Sequence, residues 1–149
     1  GDKEAVLDFL STGLSPNTMN DKGIPVLSLA IRKGRRELAH IFIEHGANVN
    51  AVSQENGNTP LMDAAVNGED SLFQQLISSG AELDVQSRNG QTALMLTVGQ
   101  GRTDLATKLI KSGADVSITD KLGMSALKYA ELFKQSDVLE LIHQKVEDY

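Results

Sequence analysis

The glycines of this chain fall at a fixed step. Gly23, Gly57, Gly90 and Gly123 are separated by 34, 33 and 33 residues, and each opens a segment of one type: Gly-Ile-Pro-Val-Leu, Gly-Asn-Thr-Pro-Leu, Gly-Gln-Thr-Ala-Leu and Gly-Met-Ser-Ala-Leu. Gly34, Gly68 and Gly101 lie eleven residues after the first three, and Gly13, Gly46, Gly80 and Gly113 form a third set, the last three followed by Ala. A unit of this length cannot bury its own apolar face, so a chain built this way is stabilised by stacking similar units side by side.

One unit, Gly57 to Gln86, shows the local chemistry. Asn56-Gly57 is a tight-turn pair, since both residues tolerate positive φ. Thr59 is placed to cap a helix with Pro60 at its first position, where a missing N–H is harmless. That helix carries the small residues Ala64 and Ala65 and is ended by Gly68. A second helix, about Asp70 to Ser78, aligns Leu72, Phe73, Leu76 and Ile77 on one stripe, and Gly80 stops it. Across units, Leu27, Leu61, Leu94 and Leu127 occupy one column expected to be a buried row, beside Ala30, Ala64, Thr97 and Ala130. The second helices supply Leu38, Leu72, Leu105 and Val138, then Phe42, Leu76, Leu109 and Ile142.

Bulk properties narrow the function. Aromatic residues are 4% of the 149, there is no Trp, and hydrophobic content is 40%, which suits thin helical layers built from Leu, Ile, Val and Ala. The absence of Cys excludes a disulfide framework and thiolate zinc sites, and it is compatible with a reducing compartment. A net charge of -6 disfavours nucleic acid and anionic membranes, both of which need a positive field. No apolar run approaches the roughly 18 to 20 residues that span a bilayer. The chain begins with Gly, so targeting is not read from its start.

These residues resemble the ankyrin repeat family: a Gly-x-Thr-Pro-Leu opening, matched at Gly57, glycines between paired helices, and closings at Gly46-Ala-Asn-Val-Asn, Gly80-Ala-Glu-Leu-Asp and Gly113-Ala-Asp-Val-Ser. The resemblance covers essentially the whole chain. It implies an all-α repeat solenoid in a single domain of about four repeats plus an N-terminal half-repeat, divided as 1–19, 20–53, 54–86, 87–119 and a C-terminal capping repeat at 120–149. The family's His after the Leu is missing, with Ser28, Met62, Met95 and Lys128 in its place, so the turns are expected to be less firmly braced. Pro25 replaces the usual Thr, and Ser53 reads as a one-residue insertion. In the first segment Glu4, Val6, Phe9, Leu10 and Gly13 align with Glu37, Ala39, Phe42, Ile43 and Gly46, which reads as a cut through a longer array, or alternatively as the natural start. At the other end Lys134-Gln-Ser-Asp replaces the glycine between helices, and His143, Gln144, Lys145, Glu147 and Asp148 give the polar outer face of a terminal cap.

Catalytic signals are weak. Gly99-Gln-Gly101 lacks the third glycine and the preceding strand of a dinucleotide fingerprint. His40 and His45 are five apart, not the i, i+4 pair of a zinc-protease helix, and His45 is placed to meet the carbonyl end of its helix. Arg32, Lys33, Arg35 and Arg36 are read as a solvated turn about Gly34 in preference to an anion or nuclear-import patch. No enzyme, cofactor or metal is expected. Asn50 sits where some repeats of the family are hydroxylated, which the resemblance offers as a minor idea.

The resemblance implies a noncatalytic protein-interaction module that binds on a concave face made of turn tips and first helices. Carried over by position, the tips are Asp21, Lys22, Glu55, Asn56, Arg88, Asn89, Lys121 and Leu122. The first-helix contacts are Arg32 and Lys33, then Asp63, Val66 and Asn67, then Gln100, and last Tyr129, Leu132 and Phe133. Leu29, Leu96 and Gly99 share that row, each triple having i, i+3, i+4 spacing. The expected partner is another protein, with an apolar segment at Tyr129, Leu132 and Phe133 and acidic groups near Arg32 and Lys33; Phe133→Ala and Arg32→Glu are expected to weaken it without unfolding. An alternative is that Leu132 and Phe133 only pack the cap. No nucleic acid and no membrane insertion are expected, and the fragment is read as a monomer. The compartment is intracellular, cytoplasmic or nuclear, or the host cytosol if the parent is a secreted bacterial effector. The alternative function is an intramolecular regulatory or targeting domain of a larger enzyme, channel or effector.

Overall fold

A computed structural model describes Glu4, Leu7 and residues 15–147. Eight α-helices occur among them, and no β-strand beyond isolated bridges at Met19–Pro25 and Thr119–Ser125. The chain divides into two compact units, Gly1–Ala81 and Glu82–Tyr149.

The first unit contains α1 (Val26–Arg32), α2 (Arg36–Glu44), α3 (Pro60–Asn67) and α4 (Asp70–Ser78). Helix α1 packs on α2 and on α3, α3 on α4, and α2 on α4, so two helix hairpins lie layer on layer. The second unit repeats the plan with α5 (Ala93–Gly99), α6 (Thr103–Lys111), α7 (Ala126–Leu132) and α8 (Ser136–Glu147), where α5 meets α6 and α7, and α8 meets α6 and α7.

Local chemistry sets the helix bounds. Thr59, Thr92 and Ser125 each accept a hydrogen bond on the side-chain oxygen from the N–H three residues on, at 3.3 Å, satisfying one of the donors a helix start leaves open. Pro25 makes no such cap, yet α1 begins at the corresponding residue, so the substitution removes a hydrogen bond and leaves the geometry intact. Gly34, Gly68 and Gly101 take positive φ between paired helices, and Lys134 occupies the same place with φ 55. The sequence departs from the pattern there and the backbone does not: Gln135 N–H reaches Ala130 O at 2.9 Å, as Arg102 N–H reaches Thr97 O at 2.8 Å.

The core follows the expected columns with exceptions at the ends. Leu27, Leu61 and Leu94 are buried, as are Ala30, Ala64, Thr97, Ala130, Leu72, Leu105, Val138, Leu76, Leu109 and Ile142. Leu127 is only half-buried, in a hairpin with no further helix pair stacked on it among the described residues; Leu38 and Phe42 are half-buried too, and α2 buries Ala39, Ile41 and Ile43 instead. Val6, Phe9, Leu10 and Gly13 of the half-repeat, and Asp148 of the cap, lie outside the described residues. Of the polar cap residues, His143, Gln144 and Glu147 are exposed, while Lys145 Nζ donates to Ile110 O at 3.1 Å at the carbonyl end of α6.

The turns are braced in a way the missing His did not foreshadow. Gly23, Gly90 and Gly123 close four-residue turns by donating to Asn20, Ser87 and Asp120, whereas Gly57 donates to Ser53 at 2.8 Å across a five-residue turn. The extra residue therefore lies within the turn, and Ser53 is the counterpart of Asn20, Ser87 and Asp120. Only Gly57 of the Asn56-Gly57 pair takes positive φ, with Asn56 Oδ1 accepting from Asn58 N–H at 3.0 Å. Successive turns are tied by backbone bonds, Gln54 N–H to Gly23 O at 3.1 Å and Lys121 N–H to Asn89 O at 3.0 Å. Gln86 Nε2 bridges one such pair by donating to Gly90 O at 2.9 Å and Thr119 O at 3.1 Å.

Candidate functional site

In the first unit, four of the expected contact residues converge. Arg32 Nε lies 3.2 Å from Asp63 Oδ1, its Nη2 donates to Asn56 Oδ1 at 3.4 Å, and Nη1 is 3.7 Å from Glu55 Oε1. Asp63 is buried, 4% exposed, so it meets Arg32 and not solvent. Burial pushes the Asp63 carboxyl above its ordinary value, while the charge and the hydrogen bond of Arg32 pull it down. Neither Asp63 Oδ2 nor the buried Ser28 Oγ has a hydrogen-bond partner. Arg32→Glu is thus a poor surface probe: it would set a second carboxylate against a buried one and act through stability.

The basic run divides by role. Arg36 Nε lies 2.7 Å from Glu69 Oε2, and its pKa is raised by that hydrogen bond and by the charge of Glu69. Arg32 and Arg36 thereby each reach a carboxylate of the following repeat, while Lys33 is exposed. Asp21, Lys22, Glu55, Val66 and Asn67 are exposed as well, and Asn67 Nδ2 donates to Ile31 O at 3.2 Å.

His45 Nδ1 donates to Ile41 O at 2.9 Å, the helix-end role expected of it, and His40 pairs through Nδ1 with Gln75 Oε1. Among the described residues no group of three or more His, Cys, Asp or Glu is placed to hold a metal. Asn50 Nδ2 donates to Gly80 O at 3.3 Å, one rung of a series in which Asn17 Oδ1 accepts from Asn48 N–H and Asp84 Oδ1 from Asp115 N–H.

In the second unit apolar side chains are exposed in the turn before α7 and at its C-terminal end. Leu122, Leu132 and Phe133 are 84%, 63% and 48% exposed. Tyr129 is half-buried, and its ring stacks on Phe133 with centroids 6.4 Å apart and planes within 7°. Its hydroxyl donates to Asp120 Oδ2, while Asp120 Oδ1 accepts from the N–H groups of Leu122 and Met124, both at 2.9 Å. Burial acts to raise the Asp120 carboxyl, yet these donors together hold it below its usual value; the same bond to Asp120 raises Tyr129. Arg88, Asn89, Gln100 and Lys121 are exposed. A shallow cleft of about 290 Å³ between the two turns is lined by Gln86, Ser87, Gly90, Thr119, Asp120 and Lys121.

Asp120 and Gln86 were not among the residues singled out by sequence, and Ser28 was noted only as a replacement for the family's His. A signal for Asp120 existed: Asn20, Ser87 and Asp120 each stand three residues before a repeat glycine, where a short polar side chain accepts turn N–H groups.

Comparison with known proteins agrees with this geometry. A family model described as ankyrin repeats (3 copies) matches residues 1–87 and 62–148. The chain is 39% identical over 86 residues to an ankyrin repeat-containing protein of Treponema pallidum (strain Nichols), covering 58% of this chain and 29% of that protein. It is 30% identical over 84 residues to the B-cell lymphoma 3 protein homolog of Mus musculus, covering 56% and 19%. It is 31% identical over 85 residues to a glycerophosphocholine phosphodiesterase of Schizosaccharomyces pombe, covering 56% and 8%. The match thus spans less than a third of each relative. No helix among the described residues is long and apolar enough to cross a membrane. The chain belongs to the ankyrin repeat family, whose repeats generally serve as noncatalytic protein–protein interaction modules.

Proposed function

We propose that the chain is one array of repeats that binds a partner protein on the side where turn tips and first helices lie, the concave face implied by the family, and that it does so as a monomer inside a cell. The observation that carries this reading is the exposure of Leu122, Leu132 and Phe133 on one tip and first-helix end. Stacking does not require these side chains to face water, and adjacent exposed apolar side chains such as Leu132 and Phe133 are what an interaction surface presents. Lys33, Val66 and Asn67 in the first unit, and Arg88, Asn89 and Gln100 in the second, add exposed contacts at the corresponding positions.

A second reading takes support from the relatives, in which the matched region is a minor part of a longer chain. The same surface would then bind another domain of its own polypeptide.

The test compares proteins captured by the wild type with those captured by a Leu132→Ser/Phe133→Ser variant, each candidate then being purified and titrated. A partner whose affinity falls tenfold or more, with the variant's melting temperature unchanged, supports the reading. A partner bound equally by that variant and by Lys33→Glu and Gln100→Ala variants counts against it.

A further inference from the structure

We infer that the apolar cluster at the end of α7 is the docking site of an acidic segment of a partner protein, with one aliphatic or aromatic side chain seated on Leu132 and Phe133 and carboxylates to either side. The inference rests on the interaction reading above and specifies the chemistry of the ligand.

The cluster is held in place before anything binds. Asp120 ties the turn to the helix, because Oδ1 takes the Leu122 and Met124 N–H groups and Oδ2 takes the Tyr129 hydroxyl. Tyr129 in turn stacks on Phe133. The backbone at Leu122 and the Tyr129 ring stacked on Phe133 are therefore held through one buried carboxylate, which lowers the ordering cost of using Phe133 in binding.

The charge around the cluster selects the ligand. Residues 121–134 contain Lys121, Lys128 and Lys134 against Glu131 as the only exposed carboxylate. Lys121 adjoins Leu122, Lys134 follows Phe133, and Lys128 stands one helical turn before Leu132 on the same face. The bond from Lys121 N–H to Asn89 O brings the turn bearing Arg88 alongside. Arg88, Lys121, Lys128 and Lys134 make no ion pair among the described residues. This happens in a unit with eight Lys and Arg against ten Asp and Glu, so positive charge is gathered about the apolar patch while the unit as a whole is acidic. An acidic segment with an apolar anchor complements both features, and the rim charges would steer its approach. An extended anionic lipid surface would meet the net charge of -6 over the whole chain, whereas a short acidic segment meets only the cationic rim of the patch within a screening length.

The experiment selects random dodecapeptides on the whole chain, then titrates the recovered peptides against wild type and exposed-surface variants whose melting temperatures match it. The expected peptides place Asp and Glu around a single Leu, Ile, Phe or Trp. Their affinity should fall about tenfold for Lys121→Glu/Lys134→Glu, fall further for Leu132→Ser/Phe133→Ser, and weaken as salt rises from about 0.05 to 0.5 M. Neutral or basic peptides that ignore the charge reversals but still require Phe133 would overturn the acidic ligand and leave the interaction reading standing. Recovery of no binders, of binders indifferent to Leu132→Ser/Phe133→Ser, or stronger retention on phosphatidylserine vesicles that the same charge reversals abolish, would overturn the docking site itself.

Discussion

The guanidinium of Arg32 covers the carboxylate of Asp63, with Nε 3.2 Å from Oδ1 and side-chain exposures of 23% and 5%. A cation on one first helix is thus the counter-ion of a buried acid on the next, and the pair joins the two layers of the first unit. Removing the cation leaves a buried charge without its partner, which costs more than the pair contributes.

Arg32→Ala should therefore lower the stability of the fold by about 2 kcal/mol. Asp63→Asn should change it by less than about 0.5 kcal/mol, because the desolvated charge goes with the acid and Arg32 keeps Glu55 within reach. Urea denaturation of the single and double variants checks this, and the double variant should recover most of the Arg32→Ala loss. Strictly additive losses would contradict the pairing.

The pH dependence carries a definite sign. Burial raises the Asp63 carboxyl in the folded state, so this group contributes stability that is fully present below about pH 3.9 and is lost as pH rises through the folded value. Asp120 and Asp115 are lowered, and act oppositely: their contributions are present above the unfolded value and disappear as pH falls through the folded one. The stability of wild type minus that of Asp63→Asn should thus decrease between about pH 4 and pH 7. An increase over that range would show that Arg32 outweighs burial.

Lys134 adopts φ 55 where the other repeats use glycine. A left-handed non-glycine residue costs about 1–2 kcal/mol, part of which glycine returns through the freedom of the unfolded chain. Lys134→Gly should stabilise by about 0.5–1 kcal/mol and raise the melting temperature by a few degrees. A destabilised variant would mean that the Lys side chain makes a compensating contact.

Two glycines of the second unit separate conformation from space. At Gly90 a Cβ would stand 2.9 Å from Lys121 N and 3.0 Å from Asp120 Cα, both backbone atoms, whereas at Gly101 it would meet nothing within 4 Å. Both have positive φ, 78 and 71. Gly101→Ala should cost about 1 kcal/mol, and Gly90→Ala at least about 1 kcal/mol more because the turns must separate. Equal losses would mean that the turns are not in close contact.

Much of the architecture was legible in the sequence because the period, the helix-start residues and the glycine stops are local signals repeated in register. Thr59, Pro60 and Gly68 take the places that capping chemistry assigns, and α4 has the bounds read from its stripe. What was not legible is which polar groups face inward. Asp63 and Arg32 share the i, i+3, i+4 rows with exposed neighbours, and only the pairing of their two layers decides that the acid is covered and the cation turned across it. The turn bracing was hidden for a similar reason: it depends on Gln86, Asp120 and backbone groups from consecutive turns, a relation between repeats that no single unit displays. Leu122 and Phe133 could be named as expected contacts, whereas their link through Asp120 and Tyr129 is a relation in space that no spacing in the sequence displays.

The most direct measurement is oxidative side-chain footprinting of the chain alone and saturated with its captured partner. The account predicts that Leu122, Leu132 and Phe133 lose most of their reactivity on binding, while exposed residues of the second helices, such as Val146, keep theirs. Protection of the second helices with Leu122, Leu132 and Phe133 as reactive as in the free chain would contradict it.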